Sequence, residues 1–412
     1  FDSGLRNAVI SGIHLEPGVG GDVEGMWVAV RLGPHPNTVA NFRKGHGPEI
    51  RRVCSTFVAL CRKVGLLAEA SVAIDGSKFK AVNTRDRNFT KAKLKRRMAQ
   101  IEESVDRYLH QLASADRQEP SLARSINADR LTGKIETLKD EMKRVKALEI
   151  RVLETPGQQI SLSDPDARSM ATSGRGSGMV AYNVQSAVDI KHHLIVAHEV
   201  TNVGNDRSAL ADMAKLTKDT LGTDTLDVVA DRGYYSSIEV LKCEEAGITV
   251  TMPRVLTSSG KLRGRFVKAD FVYMADEDAY RCPANEHLTR HTTIEERGLT
   301  LSRYWTTVCK NCAIKDQCTT GSERRITRWE HEHLLEAMQQ RLDENPDRMR
   351  QRRETVEHPF GTIKSWMGYT HFQMKTLKSA GTEMALHVLA YNIKRVINII
   401  GMRSLIAAMK AA

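Results

Sequence analysis

Apolar positions along the chain switch between a helical period and a strand period. Ile50, Val53, Phe57, Leu60 and Val64 recur at spacings of three and four, which predicts an amphipathic helix ending near Gly65. A β-rich run follows from Ser71 to Val82, where Val72 and Ile74 lead into Asp75. Helical periodicity then returns twice. Leu94, Met98, Ile101, Val105 and Leu109 form one stripe, and Leu131, Ile135, Leu138, Met142, Val145 and Val152 form a second. Pro120 interrupts them, so residues 90–153 are predicted to form a helical hairpin with heptad character. Both helices are heavily charged outside the stripes, which favours a projecting hairpin over a plain core-packed pair.

Strand periodicity resumes at Val180, Tyr182, Val184 and Val188, and again from Leu194. Gly174, Gly176 and Gly178 have no strand before them, so they read as a loop and not as a nucleotide-binding turn. A helix is expected from about Arg207 to Leu221, then a buried strand, Val228 and Val229, closing on Asp231. A helix from Ser237 to Ala246 and the strand ITVTM complete an α/β sheet domain with an insertion after its first strand. Residues 253–328 break this rhythm and hold four cysteines. Helices close the chain from Trp329, ending in the stripe Leu386, Leu389, Ile393, Val396 and Ile400. Residues 1–35 are glycine-rich without a period and suggest no fold.

Composition narrows the function. The chain has 412 residues, 41% of them hydrophobic, which excludes a wholly disordered or collagen-like protein. Its 61 Lys and Arg against 50 Asp and Glu leave a net charge of +11, a balance that favours a polyanion partner such as nucleic acid. The longest apolar stretch, Leu386 to Met402, is interrupted by Lys394 and Arg395, so no membrane span is expected. Seven cysteines in a chain of this length do not make a disulfide scaffold, and a reducing cytosol is expected. The first residue is Phe1, so a fragment or an incompletely read gene product is expected.

Asp75 and Asp231 stand at equivalent places, each at the end of an apolar strand. Neighbouring strands would bring them together, and paired carboxylates are costly unless a cation neutralises them. Mg²⁺ is suited to such oxygen ligands, and two ions can serve both oxygens of a phosphoryl transfer. In RMRQRRETVEHPFGTIKSWMG, Arg353, Glu357 and Lys364 share one helical face beside an apolar stripe of Val356, Phe360, Ile363 and Met367. An ordinary salt-bridged face is the simpler reading of those charges. Pro359 is expected to kink the helix just after Glu357.

The spacing R-(3)-E-(6)-K after two strand-end aspartates resembles the DDE transposases of bacterial insertion sequences. The blocks IDGSKFKAVNTRDRNFT, GMVAYNVQSAVD, HLIVAHEVTN, VVADRGYYS, VEHPFGTIKSWMG and LHVLAYNIKRV resemble one cysteine-containing branch of that class, over residues 36–400. The resemblance implies an RNase H-like mixed sheet and metal-dependent DNA strand cleavage and strand transfer at element ends. It assigns Asp75, Asp231 and Glu357 as ligands of Mg²⁺ or Mn²⁺, with Arg353 and Lys364 as the accompanying basic residues. Glu354 competes with Glu357 but does not meet both spacings, and Arg350 stands where the family has a Tyr. Residues 1–35 do not resemble the family's amino-terminal DNA-binding segment. The implied partners are element ends and target DNA, with a homodimer joining two ends and a bacterial nucleoid location.

The expected division follows from these elements. Residues 1–35 stay unassigned and 36–70 form a helical amino-terminal region. Residues 71–89 and 154–252 form the first part of the core, split by the hairpin at 90–153. A cysteine-rich β insertion at 253–328 precedes the helical last part of the core at 329–412.

Cys282, Cys309, Cys312 and Cys318 include one C-x₂-C pair and offer four thiolates for a structural Zn²⁺, against a reading as four free thiols. Four cysteines would close a zinc shell, which disfavours a zinc-dependent hydrolase. Arg324, Arg325 and Arg328 are the basic residues this region would present to DNA. From Lys78 to Arg97 nine Lys or Arg accompany one acid, Asp86, which reads as a phosphate track beside the site. Trp366 is expected to be a packing residue, and of His192, His193 and His358 only the last, beside Glu357, merits testing. Two functional readings remain: an active transposase, or a DNA-binding remnant without transposition activity.

Overall fold

The computed structural model describes residues 36–83, 87–115, 122–155, 157–171, 178–255 and 263–411. The glycine-rich start of the chain, Gly174 and Gly176 therefore lie outside the described residues. Among the described residues two helices come first, α1 (Pro36–Gly45) and α2 (Gly47–Lys63). Helix α2 buries Ile50, Cys54, Phe57, Val58, Leu60 and Cys61, while Val53 is 53% exposed. The buried stripe runs through the two cysteines, which pack as small apolar side chains and displace the valines from the expected face.

The chain then lays down β1 (Ser71–Lys80), β2 (Asn88–Thr90), α3 (Lys91–Ala115), α4 (Leu122–Glu154), β3 (Gln159–Ser161), β4 (Arg168–Ala171), β5 (Gly178–Asp189) and β6 (Ile195–Thr201). Helix α5 (Leu210–Leu221), β7 (Leu226–Val229), α6 (Ser237–Glu245) and β8 (Ile248–Thr251) follow. The principal sheet has the order β4-β5-β1-β7-β8, with β6 also on β5. Strands β1, β7 and β8 are parallel, and β5 is antiparallel to β1, β4 and β6. Every residue of β5 from Val180 to Asp189 is buried, as a strand covered on both faces requires. Val72, Ile74 and Val228 face α2 and α5, and Ala73, Phe79 and Tyr182 face the carboxyl-terminal helices. This mixed α/β arrangement is compatible with an RNase H-like domain.

Helices α3 and α4 pair between β1 and β5 in sequence and share their own core of Leu94, Ile101, Val145 and Val152. The β2–β3 ribbon adjoins it, and Leu109, assigned to the first stripe, is 48% exposed.

Beyond β8 come β9 (Val272–Met274), β10 (Ala279–Arg281), β11 (His287–Glu296), β12 (Leu299–Trp305) and β13 (Ile326–Trp329). They form an antiparallel sheet in the order β13-β12-β11-β10-β9 around Phe271, Tyr280, Leu288, Tyr304 and Ile326. Four helices end the chain: α7 (Glu332–Glu344), α8 (Arg348–Gly361), α9 (Leu377–Ile400) and α10 (Met402–Ala411). Pro359 does not break α8. The helix runs on to Gly361 and widens into a π-helical turn, Thr362–Trp366, closed by the Met367 N–H on the Thr362 carbonyl at 2.9 Å. Among the described residues no helix is long and apolar enough to cross a membrane.

Candidate active site

The parallel register of β1 and β7 sets Ser71 opposite Asp227 and Ala73 opposite Val229. Two residues further along the same register, Asp75 comes level with Asp231. Asp75 is still within β1, opposite Ser186 of β5, and its side chain is 25% exposed. Asp231 lies past the end of β7, where it caps the 3₁₀ turn Arg232–Tyr234. Its Oδ1 accepts a hydrogen bond from the Gly233 N–H at 2.7 Å.

Helix α8 supplies cations to both strands. Arg348 pairs with Asp227 at the start of β7. One turn on, Arg352 Nη2 stands 2.6 Å from Asp75 Oδ1 and 3.8 Å from Asp231 Oδ2. The Arg352 side chain is 12% exposed, and its buried Nε has no hydrogen-bond partner among the described residues. Burial pushes the Asp75 carboxyl up to about 6; Arg352 opposes the rise and Asp231 adds to it. Lys364, in the π turn, donates to Ser77 Oγ at 2.6 Å and to the Lys78 carbonyl at 3.2 Å. Its Nζ also sits 4.5 Å over the Phe79 ring. Burial lowers the Lys364 ammonium from its ordinary value, against the pull of Asp75. Ser77 shares a strand face with Asp75, so Lys364 stands beside the carboxylate.

Arg353 and Glu357 are placed differently. Both are exposed, and among the described residues neither has a hydrogen-bond or ion-pair partner. The arginine that reaches the aspartates is Arg352, which motif spacing passed over in favour of Arg353. Helix geometry gives the reason: Val356, Phe360 and Ile363 face the sheet, and Arg352 lies one turn before Val356 on that face. Glu357 lies to its side, so the expected cluster of Asp75, Asp231 and Glu357 is not closed. Among the described residues no group of three or more His, Cys, Asp or Glu is placed to hold a metal ion. The pair of aspartates nevertheless fits a hard divalent cation: two carboxylates flank one position, and the positive guanidinium now fills it.

A polar layer behind β1 escaped the sequence reading. Gln185 Nε2 and Asn183 Nδ2 donate to Asp206 Oδ1 at 2.6 and 2.8 Å. The Tyr234 hydroxyl donates to Gln185 Oε1. Burial, with Asp206, Asp75 and Asp231 nearby, raises the Tyr234 phenol well above its usual range. Gly76 admits this layer, because a Cβ there would lie 2.5 Å from Gln185 Nε2 and 2.6 Å from Asp206 Oδ1.

Other expected residues fall elsewhere. His358 Nδ1 shares a 2.8 Å hydrogen bond with the Tyr391 hydroxyl, which donates to the His193 carbonyl at 2.7 Å. The His192 carbonyl accepts from Arg395 at 2.8 Å, so these histidines tie α8 and α9 to the β5–β6 turn. Trp366 does not pack; it is 84% exposed, because the π turn carries it away from the core face. In the basic run, Lys78 donates to the Ala171 carbonyl, Lys93 to the Asn88 carbonyl at 3.0 Å, and Arg97 to Glu141 at 2.8 and 3.0 Å. Lys80, Arg87, Lys91, Lys95 and Arg96 are exposed, and Arg85 lies outside the described residues. Arg328 is an internal residue, bonded to Glu336 and lying 3.6 Å over the Tyr273 ring. Arg324 lies over Phe271, and Arg325 pairs with Glu323 at 2.7 Å.

The four cysteines Cys282, Cys309, Cys312 and Cys318 are free and partly buried. They line one cavity of about 20 Å³ together with Phe266, Phe271, Leu288 and Ile314. Burial raises the Cys318 thiol; Arg324 opposes this, and the other three cysteines add to it. The Glu286 N–H points at Cys282 Sγ at 3.4 Å. The four cysteines therefore line one small cavity, but among the described residues they do not make up a group placed to hold a metal ion.

No curated protein and no solved structure matches the chain. Residues 281–397 match a family model described as a transposase DDE domain. That span carries the four cysteines, Arg352, Arg353, Glu357 and Lys364, and stops short of the two strand aspartates. The match supports a DDE transposase.

Proposed function

We propose that this protein is a transposase of bacterial insertion-sequence type that cleaves DNA at element ends and joins the freed 3′ end to target DNA. The observation that carries the reading is the level placement of Asp75 in β1 and Asp231 just past the end of the neighbouring parallel strand β7, with a cation between them. When bound there, Mg²⁺ or Mn²⁺ supplies the Lewis acidity that displacement at phosphorus needs. Asp75 and Asp231 act as ligands and not as nucleophiles. Glu357 is the third carboxylate, brought in from its exposed position on α8. Lys364, fixed on Ser77, offsets charge on the reacting phosphate, and Arg353 does so from the solvent side. The exposed cations of the basic run, Lys80, Lys91, Lys95 and Arg96, hold the DNA backbone without reading its sequence. Two copies act together on paired ends, in the cytoplasm at the nucleoid.

A structural Zn²⁺ held by Cys282, Cys309, Cys312 and Cys318 is the finer reading of the cysteine cluster. Their shared cavity and the N–H directed at Cys282 Sγ support it. Metal analysis of the purified protein, with and without Cys309→Ser and Cys312→Ser, tests it: one equivalent of zinc lost in both variants is expected.

The second reading, a DNA-binding remnant without transposition activity, is favoured by one observation, the unengaged Glu357. Nicking of supercoiled plasmid with Mg²⁺, Mn²⁺ or EDTA separates the two. Metal-dependent nicking that disappears in Asp75→Ala and Asp231→Ala is expected. Salt-sensitive DNA binding by a folded protein that never nicks would establish the remnant instead.

A further inference from the structure

We propose that Arg352 is a built-in placeholder for the metal: its guanidinium holds Asp75 and Asp231 together in the free protein and is displaced when a divalent cation arrives. This rests on reading the two aspartates as a metal site. Three observations support it. Arg352 spans both carboxylates, at 2.6 and 3.8 Å, from a side chain that is 12% exposed. Among the described residues its other hydrogen bond is long, 3.4 Å to the Ile74 carbonyl, and its buried Nε has no partner. The side chain is thus held by the carboxylates and by little else, so it can leave when they are claimed. Arg348 and Lys364 fix the two ends of the same helical stretch on β7 and β1, so Arg352 can swing without moving α8.

The physical logic is competition for one pair of negative charges. Without a positive group, two carboxylates side by side, Asp75 mostly buried and Asp231 47% exposed, repel, and Asp75 loses solvation as well. The guanidinium removes that penalty before metal is present and so keeps the ligands in place. It also sets a threshold, because each metal ion must first displace a cation. A nearby opposite charge changes a carboxylate's proton affinity by roughly 1–3 log units, and a divalent ion meets a competitor of the same kind. Removal of Arg352 should therefore tighten metal binding by at least about tenfold while weakening the metal-free fold.

Mn²⁺ binding to the full chain, followed by calorimetry and by loss of the free-ion paramagnetic resonance signal, tests this. Thermal melts with and without Mn²⁺ give a second readout. Arg352→Gln is expected to bind Mn²⁺ about tenfold or more tightly than the parent, to melt lower without metal, and to gain more from Mn²⁺. Arg352→Lys, which keeps a charge but loses the planar fork, should fall between, and it serves if the Gln variant does not fold. Lys394→Gln, which removes an exposed cation on α9, should bind as the parent does. Equal or weaker Mn²⁺ binding by both Arg352 variants, with binding abolished in Asp231→Asn, would overturn the placeholder and leave the metal site standing. Absence of saturable binding in the parent and in both variants would overturn the metal site and the placeholder with it.

Discussion

Gly233 stands so close to Asp231 that a Cβ in its place would lie 2.9 Å from the carboxylate Oδ1, the same oxygen that accepts the Gly233 N–H at 2.7 Å. The carboxylate folds back over a residue with no side chain, and this sets the direction of its second oxygen. Gly233→Ala is therefore expected to turn Asp231 away from Asp75 while leaving the sheet intact. A lost supporting contact of this kind costs about 10–100-fold in metal affinity or activity. Mn²⁺ titration and plasmid nicking, with a melt to show that the fold persists, check it.

Gly76 should behave in the opposite way. A methyl group there meets Gln185 Nε2 and Asp206 Oδ1 at 2.5 and 2.6 Å, inside the buried layer. Gly76→Ala is expected to destabilise the protein by about 1–3 kcal/mol through overpacking. A urea melt measures the loss, and Asp206→Ala in the same background should recover part of it.

Lys364 is nearly as long as methionine and lies over Phe79, so Lys364→Met keeps the packing and removes the charge. Because burial already disfavours its charge, stability should stay within about 1 kcal/mol of the parent. Nicking should fall by about 10²-fold if the ammonium offsets phosphate charge.

Acid sensitivity should involve His387, which stacks on the buried Tyr369 with ring centroids 3.6 Å apart. Burial, with Arg43 adding to it, pushes this imidazole down to about 4 from its ordinary 6.5. The folded protein keeps it neutral while the unfolded chain takes up a proton, so its contribution is complete above pH 6.5 and is lost as pH falls towards 4. His387→Phe keeps the ring and removes the titration. Between pH 7 and 4.5 it should lose about 1–2 kcal/mol less stability than the parent, measured by chemical denaturation at each pH.

Much of the framework was legible in the chain, for physical reasons that also explain the misses. Val72 and Ile74 before Asp75, and Val228 and Val229 before Asp231, signal buried strands, and buried strands of one sheet run side by side. The two stripes of the hairpin were legible because Leu94, Ile101, Val145 and Val152 repeat at helical spacing. Which arginine contacts the two aspartates was not legible from motif spacing, which fixes a count and not a direction. The apolar face of Val356, Phe360 and Ile363 carried that direction. Trp366 misled because an aromatic beside an apolar stripe reads as core, whereas a π turn inserts a residue and rotates it outward. Arg328 misled in the reverse sense: its charge reads as surface, yet Glu336 and Tyr273 enclose it. The layer of Gln185, Asn183, Asp206 and Tyr234 had no signal, because its members come from β5, the loop after β6 and the turn after β7, and no local pattern joins them.

Strand β1 pairs with β5 through Val72 and Asp189, and the long helical pair lies between them in the chain. This order has a consequence in time. The ribosome adds roughly 5–20 residues per second, and Asp231 is made 156 residues after Asp75. The first aspartate therefore waits on the order of ten to thirty seconds for its neighbour, and longer for Arg352. During that wait α3 and α4 can close on each other alone, and even once β5 has paired, the β7 side of β1 stays an open edge that any other extended chain could join. Synthesis at low temperature, or with a holding chaperone, should raise the yield of folded protein.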